Sequence, residues 1–204
     1  MLRKSLLLVP PLMLALAASV SATDDDANAS KKKVRPVRVE TSLRALEEVP
    51  VVSSLGASGY FKATLDEENL TITYELSYQD LEGAPLAGHV HVGQVGVNGN
   101  IPLFLCANAP ALPPATTPAV QACPPAPATI TGVLTPENII PRPTQGIDAV
   151  SPEDFIELIR LMRSGAMYAN VHSTKYLGGE IRGQIRRDLI PGLNLGNLRD
   201  RLDD

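Results

Sequence analysis

The stretch GYFKATLDEENLTITYELSY, residues 59–78, decides the fold class of this chain. Its second half alternates, with apolar side chains at Leu70, Ile72, Tyr74 and Leu76 and polar side chains between them. Because successive side chains of a strand point to opposite faces, this alternation predicts a β-strand with one buried face. The polar turn 66–69 connects it to a first strand at 59–65, so the stretch predicts a β-hairpin.

Further strands and a single helix are predicted along the chain. The strand-like runs lie at 87–92, 101–106, 129–134, 166–172 and 180–186. A helix is predicted over 152–164, since Ser151 is a good N-cap and Gly165 a helix terminator. Its apolar stripe is expected to pack on a sheet. Many short strands with one helix predict a mostly β fold, an antiparallel β-sandwich or Greek-key-like barrel with one short α-helix.

The amino-terminal region predicts export. Residues 1–22 have the parts of a secretory signal, namely Arg3 and Lys4, an apolar run and small residues before a cleavage site after Ala22. The alternative of a membrane anchor is disfavoured, because prolines interrupt the apolar run and it falls short of the roughly 18 residues that a spanning helix needs. We therefore expect a secreted or periplasmic protein without a transmembrane segment after cleavage.

Composition divides the rest of the chain into three parts. Residues 23–42 combine acidic and basic runs with low hydrophobicity, which predicts a charged, disordered leader. Residues 43–187 are predicted to form the β domain, and residues 188–204 a flexible C-terminal tail. The net charge is −4 and the basic residues form no folded patch, so nucleic-acid binding is not expected.

The chain contains two cysteines, Cys106 and Cys123. An oxidising compartment favours a disulfide between them. A redox pair or a metal-binding pair is the alternative, but it is disfavoured because the spacing is not that of a CxxC motif. The region 107–127 is rich in proline, which argues against a central strand and predicts an exposed loop pinned by the two cysteines.

All three histidines of the chain fall in two predicted strands. His89 and His91 are two positions apart and therefore share one face of their strand. His172 shares a face with Tyr168 and Asn170 in the later strand. If these polar faces meet, three imidazoles converge, and neutral imidazoles suit copper or zinc. Three protein ligands would leave one coordination position open.

Four polar side chains are predicted to surround this metal site. Asn170, Glu180, Arg182 and Gln184 are the candidates to surround and orient the imidazoles. The alternative is purely structural: each histidine bonds strand edges or loops, and Glu180 and Arg182 form a cross-strand ion pair that fixes the register.

Several motifs are similar to those of the CHRD domain, the module named for chordin. They are Glu48-Val49-Pro50, Gly88-His89-Val90-His91-Val92-Gly93, Ile130-Thr131-Gly132-Val133-Leu134, Tyr168-Ala169-Asn170-Val171-His172-Ser173 and Gly178-Gly179-Glu180-Ile181-Arg182-Gly183-Gln184-Ile185. The resemblance covers roughly residues 43–187. It implies an extracellular β-rich module without an assigned biochemical role. Growth-factor binding is not implied, because the cysteine-rich repeats associated with it in chordin have no counterpart here.

A weaker likeness concerns the histidines alone. An HxH strand followed by Val171-His172 is similar to the copper site of copper-zinc superoxide dismutases, in which an arginine also stands near the ion, as Arg182 does in this hypothesis. The chain has no fourth histidine, however, and no zinc-ligand cluster.

Two functional hypotheses follow. The first is a non-catalytic extracytoplasmic module that binds an extracellular or envelope protein or polymer, with a three-histidine metal site as an added feature. The second is a copper- or zinc-binding redox protein. No nucleophile elbow, free thiol or supported carboxylate pair indicates an enzyme, so no catalytic residues are assigned.

Overall fold

The computed structural model describes residues 34–113 and 119–187. The predicted signal 1–22, the leader up to residue 33 and the tail 188–204 lie outside the described residues. Among the described residues, no helix has both the length and the apolar character needed to cross a membrane.

The described chain is mostly antiparallel β-structure with one α-helix, as the sequence predicts. The strands are β1 Val37–Arg44, β2 Ser58–Asp66, β3 Thr71–Gln79, β4 Pro85–Val92, β5 Leu103–Ala107, β6 Ala128–Leu134, β7 Met167–Ser173, β8 Ile181–Gln184 and β9 Arg186–Arg187. The helix α1 spans Pro152–Ser164. Short 3₁₀-helices lie at Ala45–Glu47, Pro136–Asn138 and Pro143–Gln145.

The nine strands form a single sheet in the order β5-β4-β7-β8-β1-β2-β3-β6, and β9 also pairs with β1. This sheet curls into a nearly closed barrel. Among the described residues the edge strands β5 and β6 do not pair, and hydrogen bonds from Tyr74 and Gln121 link the two ends of the sheet instead. Tyr74 in β3 donates its hydroxyl to the carbonyl of Leu105 in β5 at 2.7 Å. Gln121 connects the same edges, since its carbonyl accepts from the amide of Ala107 at 2.9 Å and its Nε2 donates to the carbonyl of Thr131 at 3.0 Å.

The predicted disulfide is present between Cys106 and Cys123. It ties the end of β5 to the proline-rich connection that lies between β5 and β6, and both cysteines are buried. The described parts of this connection are mostly exposed, as predicted for 107–127.

Replacing both cysteines with serine is expected to lower the free energy of unfolding. The two residues are 17 positions apart. Closing a loop of that size stabilises a fold by about 3 kcal/mol through the lost freedom of the unfolded chain. Urea unfolding of the wild type and of C106S/C123S measures the difference. A loss below about 1 kcal/mol would contradict the expected stabilisation by the covalent link.

Burial alternates along β3 as the sequence predicts, so the core lies on one side of this strand, whereas β4, β7 and β8 are buried on both faces. In the β2–β3 hairpin, Leu65 pairs with Ile72 and Phe61 with Leu76, and all four side chains are buried. The helix α1 begins as predicted, with the Ser151 side chain accepting from the amide of Asp154, and ends at Gly165 in the left-handed conformation. It buries the side chains Phe155, Leu158, Ile159 and Met162.

The predicted boundary between leader and domain at residue 43 is corrected by strand β1. This strand begins at Val37 and lies between β8 and β2 in the sheet, so residues 37–42 belong to the domain. The neighbouring basic residues obscured its alternation. Val39 and Leu43 are buried in the core, whereas the charged side chains Arg38, Glu40 and Arg44 at the alternate positions are not, so the strand tolerates the charge.

The last predicted strand, 180–186, is interrupted at Ile185. Strand β8 ends at Gln184 and β9 begins at Arg186. The amide of Ile185 bonds the carbonyl of Met167 at 2.9 Å, and its buried side chain joins the core.

A three-histidine cluster on the outer face of the sheet

Strands β4 and β7 are neighbours, and their register brings the histidines together. His89 pairs with Asn170, His91 with Tyr168, and Ala87 with His172. The histidine side chains lie on the face of these strands opposite to Val90 and Val171, whose side chains are in the core. The cluster therefore lies on the outer side of the sheet. The convergence of faces that the alternation predicts is therefore present.

The three imidazoles are close to one another and shielded from solvent. One ring nitrogen of each histidine lies within 4.8 Å of those of the other two. The ring centroid of His89 is 5.4 Å from that of His91 and 4.7 Å from that of His172. His89 is 4% exposed and His91 6% exposed, while His172 is half-buried. Phe104 packs edge-on against His89 from β5.

Two of the imidazoles are oriented by backbone carbonyls. His91 Nδ1 lies 2.9 Å from the carbonyl oxygen of Gly99, and His172 Nδ1 lies 2.8 Å from that of Leu177. A carbonyl only accepts, so Nδ1 carries the proton in each ring and Nε2 carries a lone pair. This is the arrangement that metal-binding histidines use, with one nitrogen held by a carbonyl and the other free for the ion.

Gly99 reaches His91 because it has no side chain. A Cβ placed on Gly99 would lie 1.6 Å from the carbonyl oxygen of Val92. Only glycine allows the 93–100 loop to approach β4 this closely and to offer its carbonyl to the imidazole.

The carboxamide of Asn170 lies among the three rings. Its Oδ1 is 3.0 Å from His91 Nε2 and 3.3 Å from His89 Nδ1, and its Nδ2 is 2.8 Å from His172 Nε2. His91 thus lies between two oxygen acceptors, but a neutral imidazole has one N–H. Rotating the amide by half a turn would only move the conflict to His172, whose Nε2 lone pair would then face Oδ1.

Burial keeps these imidazoles neutral. Desolvation lowers the pKa of His91 to about 4, and the nearby Arg182 and His172 charges act in the same direction. Burial also lowers the pKa of His89 well below its usual value, and that of His172. Near neutral pH the cluster therefore offers lone pairs and not positive charge.

Arg182 lies on the opposite side of Asn170 from His89 and supports the cluster there. The His91 ring stacks on Tyr168 with centroids 4.5 Å apart, and the guanidinium carbon of Arg182 lies 3.4 Å from the Tyr168 ring centroid. Arg182 Nη1 donates to Asn98 Oδ1 and its Nη2 to the carbonyl of Val97, both at 2.8 Å. Arg182 is 2% exposed, so this buried cation holds the 93–100 loop over His91.

Two of the other predicted neighbours make their hydrogen bonds elsewhere. Gln184 donates from Nε2 to the carbonyls of Gly93, Gly165 and Met167, which brace the chain where β4 ends and β7 begins. Glu180 accepts from the Ser54 hydroxyl at 2.7 Å and the backbone amide of Glu82 at 2.6 Å.

A fifth polar side chain, Glu48, was missed from the predicted site. It is 4% exposed, and its carboxylate lies against the backbone of Gly179, where an added Cβ would be 2.3 Å from Oε1. Burial raises the pKa of Glu48 to about 7, against the opposing effect of the Arg182 charge. Its Oε1 is buried and has no hydrogen-bond partner. Its motif, Glu48-Val49-Pro50, stood out in the sequence, but nothing local connects that motif to strands more than 100 positions away.

The fold and the cluster define a class of protein, an antiparallel barrel-like β domain with a buried three-histidine cluster on its outer face. The family model of the CHRD domain matches residues 39–185. The chain therefore belongs to the CHRD-domain family, as its motifs predict. No curated protein and no solved structure matches it.

Proposed function

We propose that this chain is an exported, non-catalytic CHRD-domain module that binds one copper or zinc ion through His89, His91 and His172. One observation carries the metal proposal: neutral His91 is held between the carbonyl of Gly99 and Oδ1 of Asn170, and it can donate to only one of them. An ion at Nε2 removes this conflict, because it takes the lone pair while Nδ1–H keeps its bond to Gly99.

The donor set favours a transition metal over calcium or magnesium. Imidazole nitrogen suits zinc and copper, whereas the hard cations take oxygen ligands. Metal–nitrogen bonds of about 2.0–2.1 Å place tetrahedral ligands roughly 3.4 Å apart. The nitrogens here lie within 4.8 Å, so binding requires a modest convergence of the rings and displacement of the Asn170 amide.

Export is supported by the composition of residues 1–22 and by the disulfide, which is typical of oxidising compartments. The proposed partner is an extracellular or envelope protein or polymer. A redox role for the ion stays a prediction. The likeness to superoxide dismutases requires an arginine near the ion. Arg182 is the candidate, but its guanidinium donates to Asn98 and to the carbonyl of Val97 and not to the cluster.

The untagged, metal-free protein is expected to bind one copper or zinc ion per chain, and H89A/H91A/H172A is expected to lose this binding. Three ligands are removed together, so the affinity should fall at least about 100-fold. Calorimetric titration with each metal measures stoichiometry and Kd, and added metal should raise Tm in the wild type but not in the triple variant.

Gln121→Ala is the matched control, since it removes the side-chain hydrogen bonds of Gln121 to Tyr74 and Thr131 without touching the histidines. It should bind metal as the wild type does. Absence of binding by the wild type, or equal binding by the triple variant, contradicts the metal proposal and leaves the three histidines as a structural hydrogen-bonded cluster.

A further inference from the structure

We propose that Gln145 is a positioning residue for the three-histidine site, because it fixes the peptide group that orients His91; this rests on the proposed metal function. Gln145 is the last residue of the short 3₁₀-helix Pro143–Gln145, and its carboxamide bonds to the chain at the end of β4 and in the 93–100 loop. Through the peptide group between Gly99 and Asn100, it keeps the proton of His91 on Nδ1 and leaves the Nε2 lone pair open to the ion.

The carboxamide of Gln145 is held in one orientation. Its Nε2 donates to the carbonyl oxygen of Val92 at 2.9 Å, and its Oε1 accepts from the backbone N–H of Asn100 at 2.9 Å. Turning the amide by half a turn would set Nε2 against an N–H and Oε1 against a carbonyl oxygen, so both hydrogen bonds would be lost. Gln145 therefore fixes the direction of the Asn100 N–H.

The N–H that bonds to Gln145 belongs to the same peptide group as the carbonyl that holds His91. A trans peptide group is planar, and its N–H and C=O point in opposite directions. Because the N–H of Asn100 points toward Gln145, the C=O of Gly99 points away from it and toward His91 Nδ1, at 2.9 Å. Glycine accepts many backbone angles, so this orientation depends on contacts outside the loop.

The orientation of this peptide group decides where His91 carries its proton. Neutral His91 has one N–H and two acceptors, the Gly99 carbonyl at Nδ1 and Asn170 Oδ1 at 3.0 Å from Nε2. While the carbonyl is fixed, the proton stays on Nδ1 and Nε2 keeps the lone pair that an ion needs. If the peptide group turns away, the proton moves to Nε2 and bonds to Asn170, and the ring offers the ion no lone pair.

His172 is an internal reference for this effect. Its Nδ1 lies 2.8 Å from the carbonyl oxygen of Leu177, which belongs to the loop between β7 and β8. That carbonyl orients His172 in the same way, but it is not part of the peptide group that Gln145 holds. A change at Gln145 should therefore alter the tautomer of His91 and not that of His172.

The tautomers of the metal-free protein test the inference directly. Nitrogen-15 NMR of the imidazole rings at neutral pH distinguishes the two tautomers, and the wild type should carry the proton on Nδ1 in both His91 and His172. Gln145→Met keeps the length of the side chain and removes both polar atoms, so it should shift His91 toward the Nε2–H form. A wild-type His91 protonated at Nε2, or an unchanged His91 tautomer in Q145M, overturns the positioning role.

Metal affinity gives the second readout. Q145M is expected to weaken copper or zinc binding by about 10-fold, the effect of losing a group that orients a ligand. Thr144→Ala is the matched control, because Thr144 lies in the same short helix but accepts from the side chain of Asn100, at 3.0 Å, and not from its backbone N–H. T144A should keep the His91 tautomer and leave Kd within about 2-fold of the wild type. Equal losses in T144A and Q145M would show general loosening of the loop and overturn the positioning role.

The failure of this inference can be told apart from the failure of the metal proposal. If the wild type binds neither copper nor zinc but His91 changes its tautomer in Q145M, the metal proposal fails and the positioning of His91 by Gln145 stands. If the wild type binds metal and Q145M binds it with the same Kd, the positioning role is wrong.

Discussion

Replacing Arg182 with methionine is expected to lower the free energy of unfolding by about 3–5 kcal/mol, because it removes a buried cation with two hydrogen bonds, and hydrogen bonds of charged groups are worth about 1.5–3 kcal/mol each. Arg182 is 2% exposed and supplies the positive charge that opposes the burial of Glu48. Methionine preserves much of the side-chain volume but neither the charge nor the bonds to Asn98 and Val97. Glu48 would remain buried without a cation, and the 93–100 loop would lose its anchor.

Urea unfolding of R182M and of R160M at pH 7.5 measures this effect against a matched arginine. Arg160 pairs with Glu67 and Glu157 on the exposed side of α1, and its loss should hardly change the free energy of unfolding, because water screens exposed ion pairs. In R182M/E48Q part of the loss should be recovered, because the uncompensated carboxylate is gone. A wild-type-like R182M would mean that Glu48 needs no neighbouring cation.

Acidification is expected to destabilise the metal-free protein through the histidines. The pKa of His91 is about 4 in the folded chain and 6.5 in the unfolded chain. Between these values only the unfolded state binds the proton, so stability is complete above pH 6.5 and is lost as pH falls through about 4. At 1.36 kcal/mol per pKa unit, His91 alone accounts for about 3 kcal/mol. His89 and His172 act in the same direction.

Glu48 opposes this trend, because its pKa rises from 4.5 to about 7 on folding. The folded state then binds a proton that the unfolded state lacks, and stability from this group falls as pH rises through that window. E48Q should therefore lose about 3 kcal/mol more than the wild type between pH 7.5 and pH 4. Denaturation midpoints measured across this range test both signs. Parallel curves for the two proteins would show that Glu48 titrates normally.

Local patterns predicted most of the elements. The alternation in residues 59–78 specifies the β2–β3 hairpin, and the caps Ser151 and Gly165 specify both ends of α1. Strand β1 was missed because a basic run precedes it, although its buried positions are only Val39 and Leu43 on one face. In that strand, pairing with β8 and β2 outweighs the local charge.

The site was only partly predictable for a related reason. Alternation places Asn170 and Arg182 on the face of the histidines, and both contribute to the cluster, one directly and one through Tyr168. The same rule placed Gln184 on that face, but a shared face does not determine which groups a side chain reaches. Gln184 instead bonds the backbone at the ends of β4 and β7.

The sequence by itself determined the strand faces, the helix and the face shared by His89 and His91, because each depends on neighbours a few positions apart; it also predicted the disulfide, because the chain has only two cysteines. Only the tertiary structure decided that β4 and β7 lie side by side and that Glu48 is buried against Gly179. Those contacts arise from strand order and from loops folding over the sheet, which depend on the packing of the entire domain. Side-chain direction is a local property of the backbone, whereas the partner at the end of a side chain is a property of the fold.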